Sequence, residues 1–167
     1  NFPTRTYVAD TGENQYRRGL YTWWQRSFLH PSLLAFDAPS REECCAERNR
    51  STPPQQALVL LNAPTYVEAP RAFAARLLSE PAATDDERIE RAVRLALQRR
   101  PDDDEHRLLA ELLARHRAIY QQDSSAAEAL LKSGLAPLPQ NVERSELAAW
   151  THVARVLLNL HETITRP

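Results

Sequence analysis

Four residues of one short stretch carry the clearest chemical potential in this chain: Asp37, Arg41, Arg48 and Arg50. Clustered guanidinium groups can clamp a carboxylate or a phosphate, because each offers a planar fork of donors that keeps its charge at any working pH. The plainer reading is structural. In that reading the arginines flank a buried helix start and pair with Asp37, Glu42, Glu43 or backbone carbonyls. Cys44 and Cys45 lie inside the same stretch. Adjacent cysteines cannot staple distant segments and a vicinal disulfide is strained, so two buried thiols are the expected state.

The histidines are His30, His106, His116, His152 and His161. None stands at i, i+3 or i+4 from another residue in a metal-site pattern. His116 and His161 fall on apolar helix faces and read as core or boundary residues. Ligands that meet only in space leave no such spacing, so a distal haem ligand stays open. The chain has no G-x-S-x-G elbow, no glycine-rich phosphate loop, no H-E-x-x-H and no C-x-x-C-H. Asp102–Glu105 is an acidic helix start rather than a calcium loop, since no glycine-centred ligand spacing follows. No catalytic residue and no metal ligand is assigned.

Composition narrows the class. The chain has 167 residues, 43% hydrophobic and 26% charged, which suits a globular chain with its own core. Lys+Arg 21 against Asp+Glu 22 gives a net charge of −1, which argues against broad nucleic-acid binding. No apolar run reaches the length of a membrane span, so no membrane insertion is expected. The chain opens at Asn1-Phe2-Pro3 without a methionine and reads as a piece of a longer protein.

Only 3 glycines against 12 prolines, with abundant Leu and Ala, is the grammar of helices separated by short stops. Residues 1–14 read as an irregular leading segment. Tyr16, Leu20, Trp23, Trp24 and Phe28 recur at helical spacing and predict a helix over 16–28. Beside Arg17 and Arg18 that stripe could stack bases, but a core-facing stripe is the plainer reading. Trp23 and Trp24, where left exposed, would make an interaction surface. His30-Pro31 and Ala38-Pro39 bracket a loop. Ser40–Glu43 is a capping box that predicts a short helix to Asn49. Pro53 suits a first helical position, and Ala57–Leu61 is apolar on every side, which places the helix at 53–62 in the centre of the fold.

Thr65–Glu68 and Thr84–Glu87 are two more capping boxes, with Pro70 predicting a kink or a later start in the first helix. Ile89, Ala92, Val93, Ala96 and Leu97 mark the buried face of the second. Asp102 or Asp103 opens a longer helix to Gln122, with Leu108, Leu109, Leu112, Leu113, His116, Ile119 and Tyr120 as its stripe. The short turn between these helices predicts an antiparallel hairpin at 85–122. A short helix through Leu130–Lys132 is capped by Ser124 or Ser125, with Gly134 as its C-cap. Residues 135–143 form an internal loop. The last helix runs from Arg144 to Leu160 with Leu147, Trp150, Ala154, Leu157, Leu158 and His161 on one face.

Several blocks of this chain resemble a known family. They are Tyr16–Thr22, Pro31–Glu42, Thr52–Asn62, Glu146–Trp150 and Leu157–Ile164. Together they resemble the planctomycete-specific C-terminal domain of unknown function found in large proteins that also carry c-type cytochrome domains. The resemblance spans roughly 5–167 and corresponds to the C-terminal part of that domain. It implies an exported, periplasmic parent, with haem c carried by another domain and no cofactor here. Against the family pattern, Cys45 is an extra cysteine beside the usual one at Cys44, Glu47 replaces the basic partner of Arg48, and Pro70 stands where a helix former is usual.

The reading is therefore an all-α single domain over 1–167, an irregular bundle of about seven helices around the helix at 53–62. Its expected role is a non-catalytic interaction or scaffold module that docks on upstream domains of the same polypeptide. Asp37, Arg41, Arg48 and Arg50 would be the ligand or interdomain-binding set, where a haem propionate is a further candidate anion. The rivals are an accessory part of a cytochrome assembly and a hydrolase or transferase with an unrecognised site.

Overall fold

Proline and glycine punctuation divides the chain into eight α-helices and two 3-10 helices among the described residues, with no strand. The computed structural model describes residues 10, 12–22, 29–39, 44–47, 49, 51, 53–82 and 84–165. They group into two compact units, Asn1–Val59 and Leu60–Pro167. The all-α expectation holds.

In the first unit, Gly12–Tyr16 and Gly19–Tyr21 form short 3-10 turns where the periodicity predicts one helix over 16–28. The chain turns extended at Arg18, with ψ 148. Gly19 follows, and a Cβ there would lie 2.9 Å from Leu33 Cδ2. Tyr16 and Leu20 are exposed rather than core-facing. The rest of that stripe, Trp23, Trp24 and Phe28, lies outside the described residues.

The loop expected between His30 and Pro39 contains a helix, α1 (Pro31–Ala35). Pro31 occupies its first turn, where a missing amide costs nothing. His30 Nδ1 accepts from the Ser32 amide at 3.3 Å and caps it. The chain then leaves α1 through Asp37 at φ 55, a left-handed conformation that Asp tolerates better than most residues. The helix predicted to run from Ser40 to Asn49 is not formed at Cys44–Glu47, which is irregular and exposed. Cys44, Cys45 and Ala46 make no stripe long enough to bury, and a capping box alone does not hold so short a helix. Both cysteines are free and exposed, contrary to the expectation of buried thiols.

Helix α2 (Pro54–Asn62) starts one residue after the expected proline. It is not buried all round: Gln56 and Leu60 are buried, while Leu58 is 60% exposed and Leu61 is also exposed. Its apolar run is about one turn and a half, so one side necessarily faces away from whatever covers the other.

The second unit is built around α7 (Arg144–Asn159), which touches α3 (Pro64–Ser79), α4 (Asp85–Leu97), α5 (Asp103–Gln122), α6 (Ser124–Leu131) and α8 (His161–Ile164). Leu147, Ala148, Ala149, Trp150, Thr151, Val153, Ala154 and Leu157 of α7 are all buried. Its alanines let neighbouring helices approach closely. Thr151 Oγ1 donates to the Leu147 carbonyl at 2.7 Å, so a hydroxyl sits in the core without a solvation penalty. Around it pack Ala74 and Leu77 of α3, Ile89, Ala92 and Val93 of α4, Leu109 and Leu113 of α5, and Leu131 of α6.

Local signals set most of these boundaries. Thr84 Oγ1 accepts from the Glu87 amide at 3.2 Å at the start of α4. Asp102 and Glu105 form a reciprocal capping box at the start of α5. Asp123 rather than a serine caps α6, accepting from the Ala126 amide at 3.1 Å. Helix α3 differs from expectation. Its cap is Ala63, Pro64 stands in its first turn, and the helix continues through Pro70. The Thr65–Glu68 box is not used, because Glu68 is buried and committed elsewhere. Glu68 Oε2 accepts the amides of Leu135 and of Ala136, the latter at 2.9 Å. Arg71 donates to the carbonyls of Leu131 at 2.5 Å and Ala136 at 2.6 Å. This buried pair clasps the chain leaving α6. His161, expected on the apolar face of α7, instead opens α8 and is exposed.

Helices α4, α5 and α7 are joined by one guanidinium. Arg117 Nη1 donates to Asp85 Oδ2 at 2.9 Å and Nε donates to Glu146 Oε2 at 2.8 Å. Glu146 Oε1 also accepts from Trp150 Nε1 at 2.9 Å. A second node, Arg99, binds Glu105 at 2.6 Å and Glu162 at 2.9 Å, tying the α4–α5 turn to α8.

Candidate functional site

The apolar stripe of α5 is wider than the fold can cover. Leu109, Leu113 and Tyr120 enter the core, but Leu108 is 57% exposed and Ile119 is 42% exposed. The sequence reading took all of these as one buried face. Leu108, Leu112, His116 and Ile119 recur at helical spacing and make a second, outer stripe. On α7 the residues His152, Arg155, Val156 and Asn159 recur in the same way.

Where the two stripes meet, the rings of His116 and His152 stack with centroids 3.8 Å apart and an interplanar angle of 6°. Tyr120 lies beside them, its hydroxyl 2.7 Å from His152 Nε2. Burial lowers the pKa of His152 to about 4, helped by the charges of His116 and Arg155. Burial and then Arg115 lower that of His116. Burial raises that of Tyr120, with Arg155 opposing. Both imidazoles are therefore neutral at neutral pH, as rings stacked this closely require.

Beside the histidines lies a pocket of about 310 Å³, lined by Leu61, Leu112, His152, Arg155, Val156 and Asn159. Its apolar wall is Leu61, Leu112 and Val156. Arg155 donates from Nη2 to the Leu61 carbonyl, and its own carbonyl accepts from Asn159 Nδ2 at 2.6 Å. The buried Arg155 Nε has no hydrogen-bond partner among the described residues. Among the described residues no carboxylate lines the pocket.

A histidine with a pKa near 4 is a weak base at neutral pH, and a tyrosine with a raised pKa is a poor nucleophile. Among the described residues no group of three or more His, Cys, Asp and Glu side chains could hold a metal ion. Among them also, no helix is long and apolar enough to cross a membrane.

The residues singled out from sequence fall elsewhere. Asp37 accepts from the Ser51 amide and hydroxyl, each at 2.7 Å, and Gln56 Nε2 donates to the Ser51 carbonyl at 2.8 Å. Asp37 thus secures the approach to α2. Arg41, Arg48 and Arg50, like Trp23 and Trp24, lie outside the described residues. Sequence spacing does not reveal the histidine pair, because His116 and His152 lie on separate helices. The available signal was the i, i+4 pair His116–Tyr120 and the stripe His152–Arg155–Val156–Asn159.

Fold and site together define an all-helical bundle with a largely apolar pocket between two of its helices. The chain belongs to the family described as PSD1, a protein of unknown function (DUF1553), whose model matches residues 1–113. That match includes the resembling blocks at 16–22, 31–42 and 52–62, and ends inside α5. The blocks at 146–150 and 157–164, and with them His152 and Arg155, lie beyond it. No curated protein matches the chain, and no solved structure does.

Proposed function

We propose that this chain is a non-catalytic interaction module that docks on other domains of a longer polypeptide through the outer face of α5 and α7. The observation that carries this is the second stripe, with Leu108 and Ile119 exposed and Leu112 half-buried between them, beside the exposed Leu61 and Val156 at the rim of the pocket. Isolated exposed leucines are ordinary, whereas an apolar stripe continuous with an apolar pocket marks an interaction surface. The family resemblance supports an exported, periplasmic planctomycete parent of the kind that also carries c-type cytochrome domains. Any haem c would then be carried by another domain.

The test is a calorimetric titration of this chain with the remaining domains of its parent, expressed separately. Binding that weakens at least about tenfold in a Leu108→Ser, Ile119→Ser double variant supports the reading, since tenfold is about 1.4 kcal/mol. Absence of binding by the unaltered chain overturns it. An Arg48→Ala, Arg50→Ala variant in the same titration shows whether the arginine group shares in the contact.

A further inference from the structure

We propose that the pocket between α5 and α7 receives a partner segment in which an apolar side chain is followed directly by an acidic one, with Arg155 holding the carboxylate. The proposal rests on the reading of this face as a docking surface and names the chemistry of what docks there.

Three observations carry it. The pocket, at about 310 Å³, sits at the small end of the usual range for ligand sites, so it has room for a side chain rather than a large cofactor. Its wall of Leu61, Leu112 and Val156 gains by covering apolar surface, on the order of 25 cal/mol per Å². Among the described residues Arg155 is the sole permanent cation on the lining, and no acidic residue of the lining neutralises it. One of its donors serves the Leu61 carbonyl, and its buried Nε is left without a partner among the described residues. An unpaired buried donor is costly, and a guanidinium with spare donors is best matched by a carboxylate. The other ring lining the site, His152, is neutral and already engaged by the Tyr120 hydroxyl, so it neither attracts nor repels the anion.

The experiment uses the whole chain, labelled on methyl groups and arginine Nε, and two probes. One is acetyl-Leu-Asp-amide and the other its neutral isostere acetyl-Leu-Asn-amide. The Asp peptide is expected to shift the Leu112 and Val156 methyls and the Arg155 Nε–H signal, with an affinity in the millimolar range and about tenfold above the Asn peptide. Arg155→Gln is expected to erase that preference. Because Arg155 also holds the Leu61 carbonyl, Val156→Phe provides a second test: it fills the pocket from a surface position and should abolish binding with Arg155 intact. Equal shifts from both peptides, no shift by about 10 mM, or unchanged binding to Val156→Phe would each overturn the proposal. If the parent domains dock while the Asp peptide leaves the pocket unshifted, this inference alone fails. If the peptide binds as expected but the parent domains do not dock, the interaction-module reading fails and the pocket assignment stands.

Discussion

The stacked histidines make an acid-sensitive point in the α5–α7 seam. His152 is held near pKa 4 against an ordinary 6.5, mainly by burial, with His116 and Arg155 adding like charge. A folded-state pKa below the unfolded one means that the unfolded chain takes up the proton first. The stability due to the neutral ring is thus complete above pH 6.5 and is lost as pH falls towards 4. His116, lowered by burial and Arg115, acts in the same direction. The expected loss from His152 between those limits is roughly 2 kcal/mol after discounting for its partial exposure. Carboxylates such as Glu105, held at about 2 by Arg99, add their own losses only in more acidic solution. Denaturant midpoints measured from pH 7.5 to 5 therefore report mostly on the histidines. The slope in that interval should flatten in His152→Gln, and an equal slope in that variant would show that the ring does not govern it.

At the scale of elements, the link after α6 depends on one backbone conformation. Gly134 stands at φ 93, where other residues are strained, and a Cβ there would collide with the Glu68 carboxylate. That carboxylate holds the amides of Leu135 and Ala136, and Arg71 holds the adjoining carbonyls. Gly134→Ala should therefore strain the backbone and displace a buried ion-paired acceptor together, at a cost of about 2–3 kcal/mol. Urea denaturation measures this. A change below about 0.5 kcal/mol would mean that the clasp yields without loss. Sequence pattern made Gly134 the C-cap of α6, whereas the cap is Lys132 and Gly134 turns the chain two residues later; it gave no sign of the role of Glu68, which it spent on a capping box.

For the molecule as a whole, the contrast lies between α2 and α7. Truncating Trp150, fully buried in α7, should cost about 3–5 kcal/mol, the usual range for a buried aromatic. Leu58→Ser on α2, at a position 60% exposed, should stay within about 0.5 kcal/mol. Comparable losses from both would return α2 to the centre of the fold. The α2 run Ala57–Leu61 looked central because it holds no polar residue. In α7 the apolar residues are interrupted by Thr151 and His152, yet the first is satisfied by the Leu147 carbonyl and the second by Tyr120. Residue type could not show that these polar groups had partners.

The sequence by itself determined the all-helical class and the extents of α4, α5 and α7. Capping boxes, proline stops and 3.6-residue periodicity act within a turn or two of chain, so they are written locally. It misjudged the segments before α2, where short helices need a buried face that local signals do not supply. Only the tertiary structure decided which half of the α5 stripe is buried, that His116 meets His152, and that Arg155 faces an apolar pocket. Each of these depends on how helices distant in sequence cross, which side-chain spacing along one helix does not encode.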